Sequence, residues 1–264
     1  MDSERTRPPA GGGRTGAVGA TAPIRELGVK TKYLLAPLHD PLSPQTEQYR
    51  AVRARIEYLG RIAGKPVQII VVTSPSPGDG KTLTALNLAM VLAADKARDT
   101  LFIECDLRRP SVRDYFVERP RVGLVDVLNN EARLSEALFR PTGSRLLVLP
   151  AGGRTHHPAE LLASPKMQRL LQILRRRFDH VVLDTPPVIP LIDADTVAAH
   201  ADGVILVVRA ARTARRLVRR AMGTISKHPI IGIILNDIKP TPIDRYYHPY
   251  GYDYDYRYDR KKNG

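Results

Sequence analysis

The stretch from Val67 to Ala93 limits most strongly what this chain can become. Val67 to Val72 is an apolar run of strand composition, and Leu83 to Ala93 is rich in alanine and leucine, as helices are. Between them lies Thr73-Ser74-Pro75-Ser76-Pro77-Gly78-Asp79-Gly80-Lys81-Thr82. Strand, glycine-rich turn and helix in that order have the chemistry of a phosphate loop. Small residues let backbone N–H groups close on an anion, the helix N-terminus adds partial positive charge, Lys81 neutralises terminal phosphates, and Thr82 offers a hydroxyl to magnesium. The expected binding positions are Ser76, Pro77, Gly78, Asp79, Gly80, Lys81, Thr82 and Leu83. Pro75 stands where the full pattern opens with glycine, and the competing account is an ordinary strand-to-helix turn with an exposed lysine.

If a nucleoside triphosphate binds there, carboxylates should follow at other strand ends. Leu101 to Glu104 is an apolar strand that leads into Glu104 and Asp106, which alternation places on one side. At the C-terminal edge of a parallel sheet such acids serve magnesium or accept a proton from an attacking hydroxyl. Their structural alternative is strand-end solvation and pairing with Arg108 or Arg109. Phe178 to Asp184 is another apolar run ending in an acid, and Asp184 is placed to orient hydrated magnesium. The catalytic candidates are therefore Lys81, Glu104, Asp106 and Asp184, and the metal candidates Thr82, Asp106 and Asp184. Asp193 is expected to cap a helix. Asn236 ends the last core strand, where it either reads the nucleotide base or caps the strand. His156 and His157 have no further ligands near them in sequence and make a poor metal site.

The remaining order is strand 145–150, one long helix from Pro158 to about Arg177, strand Gly203 to Val208, helix Thr213 to Ile225 and strand Ile230 to Asn236. Such alternation predicts an α/β fold of the P-loop NTPase class, a mostly parallel sheet with helices on both faces. Residues 1–42 read as a disordered N-terminal segment and linker, 43–238 as the nucleotide-binding domain, and 239–264 as a flexible tail. Pro44 opens a helix with Thr46 as its expected cap. On it Glu47, Arg50 and Arg53 recur every three residues, either as a solvated stripe of weak ion pairs or as a contact between subunits.

The 264 residues carry a formal charge of +14, yet the arginines are spread through the helices, as in many soluble surfaces, so no specific nucleic acid is expected as a partner. No apolar run reaches the roughly 18 to 20 residues of a membrane span, and a single cysteine, Cys105, cannot form an internal disulfide. These features read as a cytoplasmic protein, brought to the inner face of the membrane only by a partner.

Seven of the eleven tyrosines are Tyr246, Tyr247, Tyr250, Tyr252, Tyr254, Tyr256 and Tyr258. A sticky tail or a stacking platform would suit them. Behind a triphosphate site they also read as phosphate acceptors, and seven phosphotyrosines would add about −10 to −14 in charge.

With these motifs in order, the chain resembles the bacterial tyrosine kinases of capsule and exopolysaccharide systems, in their soluble CpsD- and CapB-like form. The residues that carry the resemblance are Thr73 to Thr82, Leu101 to Pro110, Val181 to Val188, Glu47-x-x-Arg50-x-x-Arg53 and the tyrosine cluster; Pro158 to Leu162 leading into Phe178-Asp179 is also similar. The resemblance implies ATP and magnesium, phosphorylation of the tail tyrosines between subunits of a ring held together through Glu47, Arg50 and Arg53, a transmembrane polysaccharide co-polymerase as activating adaptor, and a protein-tyrosine phosphatase as counterpart. It departs at Glu104, where the family usually has aspartate, so both Glu104 and Asp106 stand as candidate bases. Ser76 occupies the place of a second lysine in related partitioning and septum-positioning ATPases. The alternative function is that of such a regulatory ATPase, organising a membrane-associated complex without tyrosine phosphorylation.

Overall fold

Short runs of apolar residues, buried on both sides, set the centre of the molecule. The computed structural model describes residues 24–31 and 35–239. In chain order the elements are β1 (Arg25–Leu27), α1 (Ala36–His39), α2 (Pro44–Ile62), β2 (Ile69–Thr73), α3 (Lys81–Ala93), β3 (Thr100–Glu104), a 3-10 turn (Val112–Tyr115), α4 (Leu124–Leu128), α5 (Leu134–Ala137), β4 (Phe139–Pro141), β5 (Leu147–Leu149), α6 (Pro158–Ala163), α7 (Pro165–Arg177), β6 (His180–Asp184), α8 (Asp193–Ala198), β7 (Gly203–Arg209), α9 (Arg215–Ile225) and β8 (Ile230–Asn236).

The strands form one sheet in the order β1-β4-β5-β3-β6-β2-β7-β8. Every neighbouring pair is parallel except β4 and β5, which meet antiparallel. In β2, Ile69 and Val71 face one apolar layer with Leu171 and Leu174 of α7 and Ile225 of α9, while Ile70 and Val72 face the other with Leu86 and Leu88 of α3. Alternation with no polar side requires cover on both faces, as found. Helix α3 is buried nearly all round, which makes it the central helix of its layer, with α2 packed outside it. The register aligns the carboxyl ends of β3 and β6, with Glu104 opposite Asp184, and those of β6 and β2, with Asp184 opposite Val72. Chemistry is thereby gathered at one edge of the sheet.

The packed domain starts earlier than residue 43. Arg25 to Leu27 pair with Phe139 to Pro141, Leu27 and Leu35 are buried, and the Ala36 amide donates to Asn87 Oδ1 at 2.8 Å. The linker expected there is thus partly strand and helix, in pieces too short to show a period. Ser43 rather than Thr46 caps α2: its Oγ accepts from the Thr46 amide at 3.2 Å, and Thr46 Oγ1 donates to the Asp40 carbonyl. The helix expected over 158–177 is two helices, because Ser164 adopts an extended conformation, ends α6 and caps α7 ahead of Pro165. Asp193 is the first residue of α8 and not its cap. The seven tail tyrosines and the segment 1–23 lie outside the described residues.

Candidate active site

The loop between β2 and α3 takes its shape from two glycines and one aspartate. Gly78 and Gly80 have φ of +82° and +91°, in the left-handed region that disfavours side chains. A Cβ on Gly80 would meet Asn236 Nδ2 at 2.0 Å, so alanine there would be strained by its backbone conformation and would displace the Asn236 amide. Asp79 is buried; its carboxylate accepts from the Ser76 amide at 3.0 Å and from Thr213 Oγ1 at 2.7 Å. Asn236 Nδ2 donates to the Asp79 carbonyl at 2.9 Å, and Arg209 donates to the Gly78 carbonyl at 3.2 Å. Asn236, expected to read a base or cap a strand, here braces the loop, and Asp79 and Ser76 fix its form from within. Arg209 and Thr213 were not singled out from the sequence; they lie more than a hundred residues from the loop, and only the β2–β7–β8 pairing brings them near it.

The loop delivers Lys81 and Thr82 to the carboxylates. Lys81 Nζ lies 2.8 Å from Asp106 Oδ2 and 3.7 Å from Asp184 Oδ1. Thr82 Oγ1 donates to Asp184 Oδ2 at 2.7 Å. Burial works against the charge on Lys81, but Asp184 and Asp106 outweigh it and hold the pKa above the ordinary lysine value. Asp184 is fully buried, and desolvation pushes its pKa up to about 6 despite Lys81 and Thr82. Among the described residues its buried Oδ1 has no hydrogen-bond donor, Lys81 Nζ being its nearest cation at 3.7 Å. A hard cation suits that oxygen beside the Thr82 hydroxyl, so the donor set fits magnesium. Among the described residues no group of three or more histidine, cysteine or acidic side chains could hold a metal by itself, which leaves the remaining coordination to phosphate and water.

The two acids after β3 differ. Glu104 is buried, and its Oε1 accepts from the Ser111 and Val112 amides at 2.6 and 2.8 Å, while Oε2 accepts from the Ala151 amide at 2.9 Å. Burial raises its pKa to about 7 against those three donors. It ties the loop after β3 to the loop after β5. Asp106 instead lines the cavity, receiving Lys81 on one oxygen and the Arg109 amide on the other at 3.1 Å. Arg108, considered as a partner for these acids, turns away and holds the buried Asp193 through Nε at 2.7 Å and Nη2 at 3.3 Å.

A cavity of about 650 Å³ opens over this group, lined by Pro77, Gly78, Gly80 to Leu83, Asp106, Arg108, Arg109, Ser111, Tyr115 and the segment from Pro186 to Leu191. Most of the expected loop positions reach it, and Ser76 and Asp79 do not. The wall from Pro186 to Leu191 and Tyr115 were missed; the proline pair after Asp184 was the available signal. On α2, Glu47 pairs with Arg50, and Arg53 lies 3.9 Å from Glu57 and donates to the Val91 carbonyl at 3.4 Å, well apart from the cavity. His156 and His157 are exposed, and His157 pairs with Glu160.

The AAA domain family matches residues 67–228. The tyrosine-protein kinase YwqD of Bacillus subtilis is 34% identical over 202 residues, which cover 76% of this chain and 84% of the relative. The succinoglycan biosynthesis transport protein ExoP of Rhizobium meliloti is 35% identical over 211 residues, and there the chain spans only 26% of the longer relative. Among solved structures, the chimerical protein CapA2B2 superposes with a TM-score of 0.74 at 27% identity, covering 81% of this chain and 94% of that one. With its phosphate loop, its paired strand-end acids and these relatives, the chain belongs to the AAA domain family and, within it, to the bacterial tyrosine-protein kinases.

Proposed function

We propose that the chain is an ATP-dependent protein-tyrosine autokinase that phosphorylates its own C-terminal tyrosine cluster between subunits and thereby regulates capsule or exopolysaccharide synthesis and export. The observation that carries this reading is the Lys81 ammonium held between Asp106 and Asp184 at the floor of a cavity walled by the phosphate loop. The loop amides and Lys81 hold the triphosphate, Lys81 exchanging its carboxylate partners for phosphate oxygens. Thr82 and Asp184 would hold magnesium, which would neutralise charge on the transferring phosphoryl group. Asp106 is the base. It faces the cavity, whereas both oxygens of Glu104 are committed to buried backbone amides. A tyrosine hydroxyl enters, gives its proton to Asp106, and its oxygen bonds to the γ-phosphorus as the bond to the β-phosphate oxygen breaks and ADP departs. Catalysis is then chiefly positioning and charge stabilisation.

The acceptors are Tyr246, Tyr247, Tyr250, Tyr252, Tyr254, Tyr256 and Tyr258. The subunits meet in a ring through Glu47, Arg50 and Arg53, which lie on the outer helix α2 clear of the cavity. A transmembrane co-polymerase brings the kinase to the inner face of the membrane and activates it, and a phosphatase resets the tail. The name of ExoP, a biosynthesis transport protein, supports the polysaccharide setting. Among the described residues no helix is long and apolar enough to cross a membrane.

The reading is tested by incubating the full chain with magnesium-ATP and the cytoplasmic segment of its adaptor, then probing for phosphotyrosine. Wild type should label. Lys81→Met should not, and replacing the seven tyrosines by phenylalanine should remove most of the label. ATP hydrolysis by the wild type without any transfer to tyrosine would give the function to the regulatory-ATPase alternative instead.

A further inference from the structure

Helix α9 carries a row of charge that the catalytic account does not use. Arg215, Arg216, Arg219 and Arg220 fall at i, i+1, i+4 and i+5, so they share one side of the helix, and Ala221 and Ile225 are buried on the other. All four are exposed, as is Arg212 in the loop just before them. Among the described residues none of the five enters an ion pair, whereas Arg209 at the end of β7 and Arg175 on α7 pair with Asp237 and Asp202 at 2.8 Å. Unpaired arginines in a row repel one another, and their planar guanidinium groups suit bidentate binding of phosphate.

The chain's own C-terminal segment leaves the fold beside this row. Asn236 ends β8 with its carbonyl accepting from the Ala210 amide at 2.8 Å, and Arg209 Nε holds Asp237 at 2.8 Å. Ala210 begins the five-residue loop that runs into α9, so the chain beyond Asn236 departs from the sheet beside the lead-in to that helix. Tyr246 lies seven residue steps beyond Lys239. Extended, they reach at most about 23–25 Å, against about 16 Å for the length of α9, so the tyrosines can lie along the arginines of their own or a neighbouring subunit. Beyond Lys239 the sequence holds four aspartates and five arginines and lysines, giving it no charge to attract a basic surface until phosphate is added. Each phosphotyrosine then brings about −1.5 to −2 and three acceptor oxygens.

We infer that the outer face of α9, with Arg215, Arg216 and Arg219 at its centre, is a phosphotyrosine-binding surface that captures the phosphorylated C-terminal segment of this chain and leaves the unmodified segment free. This rests on the autokinase reading for the source of the phosphate. The surface would hold spent acceptors away from the active site and make the modified tail a bound rather than a free element.

The test uses the full-length dephosphorylated protein without ATP, so that binding is read independently of kinase activity. The probe is a fluorescent synthetic peptide of residues 243–260 with phosphotyrosine at positions 252, 254 and 256, followed by anisotropy. The phosphorylated peptide should bind roughly tenfold or more tightly than the unmodified one, and weaken as salt rises. Arg215→Gln, Arg216→Gln and Arg219→Gln together should remove most of that difference. The same number of changes at Arg169, Arg176 and Arg177, exposed on α7, should leave it in place. The three-lysine version of the α9 variant should recover binding only in part, because lysine keeps the charge without the fork. Equal loss from the α7 variant, or equal binding of a glutamate-rich peptide of the same charge, would overturn the inference. So would an α9 variant that keeps the phosphopeptide but loses vesicles of anionic lipid, since the row would then be a membrane surface. Phosphotyrosine formation by wild type in the preceding assay, alongside no peptide binding here, would sink this inference and leave the autokinase reading standing.

Discussion

The cavity at the carboxyl ends of the strands and the outer face of α9 use charge in opposite ways. At the cavity, the largely buried Asp106 and Asp184 both pair with Lys81, and Glu104 next to them is fully committed to backbone amides. On α9 the arginines stand in solvent with no partner among the described residues. Buried charges persist only when matched, because removing one partner leaves the other uncompensated. Exposed charges carry no such constraint and are available to something outside the domain. Substitutions in the first region should therefore reach both chemistry and stability, and in the second only binding.

The largest expected effect is at Lys81. Lys81→Met removes the cation in contact with both Asp106 and Asp184, and phosphotyrosine formation should fall by about a thousandfold or more, as on loss of a positive group that stabilises a transferring phosphoryl group. Retention of a tenth of wild-type activity in a radiolabelled ATP assay would mean that Lys81 is a structural counter-ion only.

Next comes Glu104. Glu104→Ala leaves the Ser111, Val112 and Ala151 amides buried without an acceptor, which should cost about 2–4 kcal/mol in chemical denaturation. A change near zero would show that the loops it joins are held by other means. The pH dependence sharpens this. The folded pKa of about 7 lies above the ordinary glutamate value of 4.5, so the folded state binds the extra proton and stability falls as pH rises between those values. Glu104's contribution is complete below about pH 4.5 and lost as the pH passes about 7. Glu104→Gln should reduce the fall in stability across that interval, by up to about 1.4 kcal/mol per pH unit at the steepest point, and leave the part that the raised Asp184 contributes below about pH 6. An unchanged slope in denaturation series from pH 5 to 8 would contradict the assignment.

The stripe on α2 is the intermediate case, charged and half-exposed, with Glu47 and Arg50 paired to each other. Alanine at Glu47, Arg50 and Arg53 should lower the mass seen by light scattering while moving stability by less than about 1 kcal/mol. An unchanged mass would return the stripe to a solvated face. The smallest effect is expected on α9, where glutamine at Arg215, Arg216 and Arg219 should shift stability by no more than about 0.5 kcal/mol. A larger loss would mean these arginines support the fold, erasing the contrast with the cavity.

Much of this arrangement was legible in the chain itself, for identifiable reasons. Strands β2, β3, β6, β7 and β8 are five to seven residues long with apolar centres, and the glycines around Asp79 mark the tight turn from strand to helix. Strands β1 and β4 escaped because three residues cannot display a period. The break at Ser164-Pro165 was written in a serine followed by proline, a helix-start signal hidden within a leucine pattern that continues across it. Glu104 and Asp106 could not be told apart because the partners that separate them are backbone amides, which have no residue signature. Arg108 and Asp193, or Asn236 and Asp79, are 85 and 157 residues apart and meet only through strand order. The tyrosine cluster was as visible as any motif, and its partner surface was not, since a row of arginines on a helix reads as ordinary solvation until the fold puts the chain's exit beside it.

The most direct test of the central claim is transfer from one chain to another. Mixing the Lys81→Met chain, which keeps its tyrosines, with an active chain in which all seven tail tyrosines are phenylalanine should place phosphate on the Lys81→Met tail, found by mass spectrometry of its tryptic peptides, with neither chain labelled alone. Wild type that labels itself while the mixture stays unlabelled would contradict transfer between subunits, and a mixture that consumes ATP with no phosphotyrosine on any chain would contradict the kinase itself.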